Sequence, residues 1–110
     1  MGRKKGEGSV DVARRVMQAR SVQAGRFKSE GIFTNAEMGG RMLEKYCALD
    51  KDCAEIMGKI MDKMGLSARA YSRILKVART IADLEREENI RPEFLAEAAS
   101  YRFLDKIDGL

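Results

Sequence analysis

The stretch KMGLSARAYSRILKVARTIA, residues 63–82, decides the fold. Gly65 is the residue type that ends a helix in a left-handed turn, and Ser67 is a good cap for the next one. Beyond Ser67, Tyr71, Ile74, Leu75, Ala78 and Ala82 recur at helical spacing. Ala70, Val77, Ile81 and Leu84 form a second stripe beside them. So wide an apolar arc predicts a central helix touched by several others. The narrow face left over carries Arg69, Arg73, Lys76 and Thr80 at i, i+4, i+7 and i+11.

No acidic residue lies between Asp62 and Asp83. Like charges at i, i+4 cost a helix roughly 0.2–0.5 kcal/mol. A cation in the first turn, as at Arg69, costs roughly 0.3–1 kcal/mol against the macrodipole. An anion held against the face gives these penalties a purpose. The bland alternative is a solvated face that happens to lack acids.

Working outward, Asp50 caps a helix in which Cys53, Ile56, Met57, Ile60, Met61 and Met64 follow the i, i+3, i+4, i+7 rule. A short helix over roughly Gly40–Cys47 precedes it and buries Met42, Leu43 and Tyr46 in part. Residues 29–40 are irregular, with Ile32 and Phe33 as an expected hydrophobic anchor. The first helix runs from Val10 to Phe27 with Ser9 as its cap. Val12, Val16, Ala19 and Gln23 form one stripe there, flanked by Val10, Ala13, Met17 and Ala24. Arg14, Arg15, Arg20 and Arg26 decorate the remainder. The last helix opens near Arg91 with Pro92 in its first position, and Phe94, Leu95, Ala98, Tyr101 and Arg102 face inward. Residues 1–8 read as a flexible basic tail, 9–105 as the helical domain and 106–110 as a frayed end. The expected architecture is all-α, about five helices in one bundle-like domain.

Composition agrees. The 110 residues contain one Pro and no Trp, with Leu, Ala, Met, Glu, Lys and Arg prominent. No apolar run is long enough for a membrane span, and no signal-peptide core is present, so the chain reads as cytoplasmic. The net charge of +4 is unevenly spread. Residues 1–30 hold eight basic against three acidic residues, and 63–82 hold five against none. Residues 83–110 reverse this, with four against eight. Such a mosaic suits docking to protein surfaces and to polyanions.

The candidate chemistry is narrow. Cys47 and Cys53 are the only cysteines and histidine is absent, so a nucleophile–base pair and a zinc ligand set both fail. The two thiols read as small buried or half-buried groups, unpaired in a reducing compartment. Asp50-Lys51-Asp52 lacks the glycine and glutamate of a calcium loop, and Gly58-Lys59 lacks the rest of a P-loop. The methionines at helical spacing read as core. Arg69, Arg73 and Lys76 remain.

The run Gly65–Leu84 resembles the C-terminal domain of the magnesium-chelatase-related AAA+ ATPases, the competence protein ComM group. Gly6-Glu7, Arg15-Val16, Ala19-Arg20, Asn35, Cys47 with Leu49-Asp50, and Leu95–Ala98 with Tyr101-Arg102 and Leu104-Asp105 fit the same pattern. The resemblance implies a helical AAA+ lid whose Walker motifs lie elsewhere. Ser67-Ala68-Arg69 matches the Ser-x-Arg start of the sensor-2 helix, which implies that Arg69 contacts the γ-phosphate of ATP and assists hydrolysis by the core. Arg73 is the next residue implied to face nucleotide or a neighbouring subunit. The implied cofactor is ATP, with Mg²⁺ held by the core. The implied partners are the AAA+ core of the same chain, neighbouring subunits and, through the full-length hexameric motor, DNA. One departure stands out: Arg86 occupies the place where the family carries a glycine after Ala82-Asp83-Leu84, which leaves the fourth helix free to run longer. The reading from charge alone is a stand-alone helical module that binds DNA or protein through its basic face.

Overall fold

The computed structural model describes residues 9–101, and every helix above is found in it. Helix α1 spans Ser9–Arg26, α2 Gly40–Tyr46, α3 Lys51–Met64, α4 Ala68–Leu84 and α5 Pro92–Ala99, with one 3-10 turn at Asn35–Glu37. No strand occurs among the described residues. The expected tail (residues 1–8), the frayed end (106–110) and the inward-facing Arg102 lie outside them.

Helix starts follow local chemistry. The Asp50 carboxylate accepts from the Cys53 amide at 2.8 Å, and the Ser67 hydroxyl accepts from the Ala70 amide at 3.2 Å. Gly65 closes α3 at φ +60°, a backbone region where glycine pays no steric penalty. Ser9 stands inside the first described turn of α1, not ahead of it.

Helix α4 is the centre. It packs on α1, α2, α5 and the 3-10 turn, while α5 also packs on α3. Ala70, Ile74, Leu75, Ala78, Ile81 and Ala82 of α4 are buried, with Met57 and Cys53 of α3 and Phe94, Leu95 and Ala98 of α5. Phe27, just past α1, meets Tyr46 edge-to-face at 5.4 Å. Both cysteines are buried free thiols.

Three further expectations need correction. Phe33 is not an anchor: it is 78% exposed, and only Ile32 packs against the core. The amides of Phe33 and Thr34 both donate to the Glu37 carboxylate, which turns the chain so that successive side chains part. Arg26 is not surface decoration, because its guanidinium meets the Asp83 carboxylate, whose side chain is 1% exposed. The fourth helix does not run past Leu84. Arg86 itself adopts the left-handed conformation, φ +60°. Its amide donates to the Asp83 carbonyl and the Glu87 amide to the Ala82 carbonyl at 2.8 Å, the pair of bonds that a glycine-terminated helix makes.

Candidate functional site: a cationic groove on the central helix

The face of α4 turned from the core forms one wall of an open groove of about 600 Å³. Its lining is Arg69, Ser72, Arg73, Lys76, Val77 and Thr80 from α4, with Ala36 from the 3-10 turn. The structure therefore brings Arg69, Arg73 and Lys76 together as their spacing predicts. Among the described residues no carboxylate lines this groove. Arg69 is exposed in the first turn of α4, a turn without an acid, and makes no hydrogen bond or ion pair with the described residues. Arg73 and Lys76 are half-buried. The Lys76 ammonium donates to the Ala36 carbonyl at 3.1 Å, which ties the helix to the opposite rim. Three cations and the Ser72 hydroxyl on one face of a helix fit the charge and donor needs of a polyphosphate, while the Thr80 hydroxyl is already engaged, donating to the Lys76 carbonyl and accepting from Asn35.

Beneath the groove lies a buried polar network that sequence reasoning missed. Arg26 grips Asp83 with both guanidinium arms, at 2.7 and 2.9 Å. Asn35, fully buried, donates to Asp83 at 2.9 Å and to the Thr80 hydroxyl at 3.0 Å. The Asn35 amide donates to the Gln23 side chain at 3.0 Å, and Arg26 donates to the Asn35 oxygen at 2.9 Å. Arg79 is 5% exposed and donates to the carbonyls of Tyr46, Glu87 and Glu88. Its Nε stands 3.4 Å from Asp83. Burial lowers the pKa of the Arg79 guanidinium, and the Asp83 carboxylate opposes that shift. The network fixes the 3-10 turn against α1 and α4, and so fixes the width of the groove. The signal for it was the i, i+4 pair Arg79 and Asp83, the second being the acid that ends the long acid-free run.

The neighbouring carboxylates hold turns, not ligands. Hydrogen bonds from the Phe33 and Thr34 amides, then the Thr34 hydroxyl, keep the Glu37 carboxyl below its ordinary range. The Tyr46 hydroxyl, then Lys45, does the same for Glu30. Among the described residues no cluster of three or more acids, cysteines or histidines could bind a metal ion. No helix there is long and apolar enough to cross a membrane.

Comparison with known proteins meets this geometry. The family model of the magnesium chelatase subunit ChlI C-terminal domain matches residues 6–102. The chain belongs to this family. As a magnesium-chelatase C-terminal domain it is similar to the YifB protein of Salmonella typhimurium, 44% identical over 94% of this chain and 20% of that protein. It is similar to the competence protein ComM of Haemophilus influenzae, 40% identical over 94% of this chain and 19% of that protein. The Rv2897c protein of Mycobacterium tuberculosis is 32% identical over 88% of this chain and 19% of its own length. The chain thus spans about a fifth of the curated relatives it matches.

Proposed function

We propose that this domain is the helical lid of an AAA+ ATPase and completes an ATP site through the sensor-2 arginine Arg69. The reading is supported by the family membership and by one observation above the others: among the described residues, Arg69 has no carboxylate partner and stands at the mouth of a groove lined by no acid. Bound ATP would supply the transferring phosphoryl group, with its Mg²⁺ held by the core domain. Arg69 presents a planar fork of donors that stays charged at any working pH and matches phosphate oxygens. A guanidinium placed on a transferring phosphoryl group contributes orders of magnitude in rate. Arg73, one turn on, faces the same groove toward nucleotide or an adjacent subunit. Loss of the γ-phosphate removes the partner of Arg69 and frees the lid to move, so nucleotide state is coupled to domain position. The parent protein is read as a hexameric DNA motor linked to competence and branch migration.

The test uses the 110-residue chain itself. Titration with inorganic tripolyphosphate should shift the Arg69 side-chain Nε–H resonance in a saturable manner, and the shift should vanish in Arg69→Ala. The purified chain should not hydrolyse ATP. Turnover by the chain alone, or no response of Arg69 to tripolyphosphate, would refute the lid reading.

A further inference from the structure

Arg69 and Lys76 both line the groove, seven residues apart on α4. Seven residues are almost two whole turns, so the two Cα atoms stand one above the other, about 10 Å apart along the helix axis. Side chains on one helix face lean the same way, toward the N-terminus, so their charged heads keep a similar spacing. A charge-assisted N···O contact is only about 2.8 Å long. One phosphate placed between two such heads leaves one of them out of reach, whereas a chain of phosphates meets both.

The far end of this pair is held in place before any ligand arrives. Lys76 is half-buried, and its ammonium donates to the Ala36 carbonyl at 3.1 Å. Ala36 is held in turn, because Asn35 beside it is bonded to Gln23, Thr80 and Asp83. A side chain already fixed loses less freedom on binding than a loose one. An ammonium has three donors, so two remain for oxygens in the groove. The carbonyl it touches is neutral, so that bond leaves its charge uncancelled. Ser72 stands between the two cations on the same wall. A serine inside a helix often returns its hydroxyl to the carbonyl four residues back, as Thr80 does to Lys76. Ser72 makes no hydrogen bond with the described residues, which leaves its hydroxyl to the groove.

We infer that Lys76 is the second phosphate-binding cation of this site and makes the groove select a chain of phosphates over a single one. Arg69 and Lys76 hold the two ends of the chain, and the Ser72 hydroxyl meets a phosphate between them. This role rests on the phosphate reading of Arg69 and deepens it, because Arg69 alone gives no reason to prefer three linked phosphates to one. For ATP, Lys76 marks the α-phosphate end.

Calorimetry of the 110-residue chain against orthophosphate, pyrophosphate and tripolyphosphate, at constant ionic strength, reads this selection. Affinity should rise with chain length. Lys76→Gln keeps an N–H donor for the Ala36 carbonyl and removes only the charge. It should weaken tripolyphosphate about tenfold and leave orthophosphate unchanged. Lys76→Arg, which keeps the charge, should retain the preference for the longer chain. Lys51→Gln removes one exposed charge from α3 and should alter neither affinity. If Arg69→Ala weakens tripolyphosphate but Lys76→Gln does not, the role of Lys76 falls and that of Arg69 survives. The role of Lys76 also falls if Lys51→Gln weakens tripolyphosphate as much as Lys76→Gln does, since net charge is then the cause. If no phosphate binds the unaltered chain, or Arg69→Ala leaves tripolyphosphate affinity unaltered, both roles fall.

Discussion

Asp83 carries more of this domain than any other polar residue. Its carboxylate receives both arms of Arg26 and the Asn35 amide, and it stands 3.4 Å from Arg79. A buried ion group of this kind is weak evidence of net stability, but removal of one partner is costly because the others stay charged and buried. Asp83→Asn leaves two guanidiniums against a neutral amide. We expect it to lower unfolding stability by about 3 kcal/mol, read from urea denaturation; a change within error would contradict the network. The residue was legible only as part of a family-like Ala-Asp-Leu triplet. Its partners Arg26 and Asn35 sit 57 and 48 positions away in sequence, and spacing rules reach only one or two turns. Arg79 lies off the Arg69–Arg73–Lys76 stripe, and its burial against the carbonyls of Tyr46, Glu87 and Glu88 was not legible from the spacing. Arg69, by contrast, was legible as an anomaly: a cation at the wrong end of its helix, with no acid nearby to excuse it.

At the scale of elements, punctuation did most of the work. Asp50, Gly65, Ser67 and Pro92 mark helix ends, and each end falls there because the chemistry is local. The end of α4 was read less well. Glycine is the residue that usually accepts the left-handed turn, so its replacement by Arg86 implied a longer helix. The core decides otherwise: Ile90 and Phe94 must reach the buried cluster, so the chain turns after Leu84 whatever residue stands at the corner. Arg86 donates to the Gln18 side chain from that strained position. A non-glycine residue in this region costs about 1 kcal/mol or more. Arg86→Gly should therefore stabilise the domain by about 0.5–1 kcal/mol, net of the lost exposed hydrogen bond. A lowered thermal midpoint would show that the Gln18 contact outweighs the backbone strain. Phe33 was the other misreading, since two adjacent apolar residues in a turn do not reveal which of them faces inward until the capping carboxylate of Glu37 is placed.

For the whole molecule, the wide apolar arc of α4 was sufficient to predict a central helix with others around it, because helices can bury such an arc in few ways. The buried thiols give the assembly a pH signature. Burial raises the pKa of Cys47 to about 11, against the opposing field of Arg79 and Arg26. Burial, then Asp50, raises that of Cys53 to about 11, and its thiol donates to the Ile90 carbonyl at 3.3 Å. A free cysteine titrates at about 8.5. The folded state thus holds these protons more tightly than the unfolded chain. Stability from this source is complete below about pH 8 and is lost progressively as pH rises toward 11. The thermal midpoint should fall over that window, and the fall should shrink in a Cys47→Ala, Cys53→Ala double variant. An equal fall in that variant would assign the loss to other groups. The functional claim is tested most directly by ATP turnover in a full-length ATPase carrying this domain, with Arg69→Ala as the only change. A drop in kcat of at least tenfold, with the thermal midpoint of the domain unaltered, is the predicted result. Unchanged turnover would contradict the account.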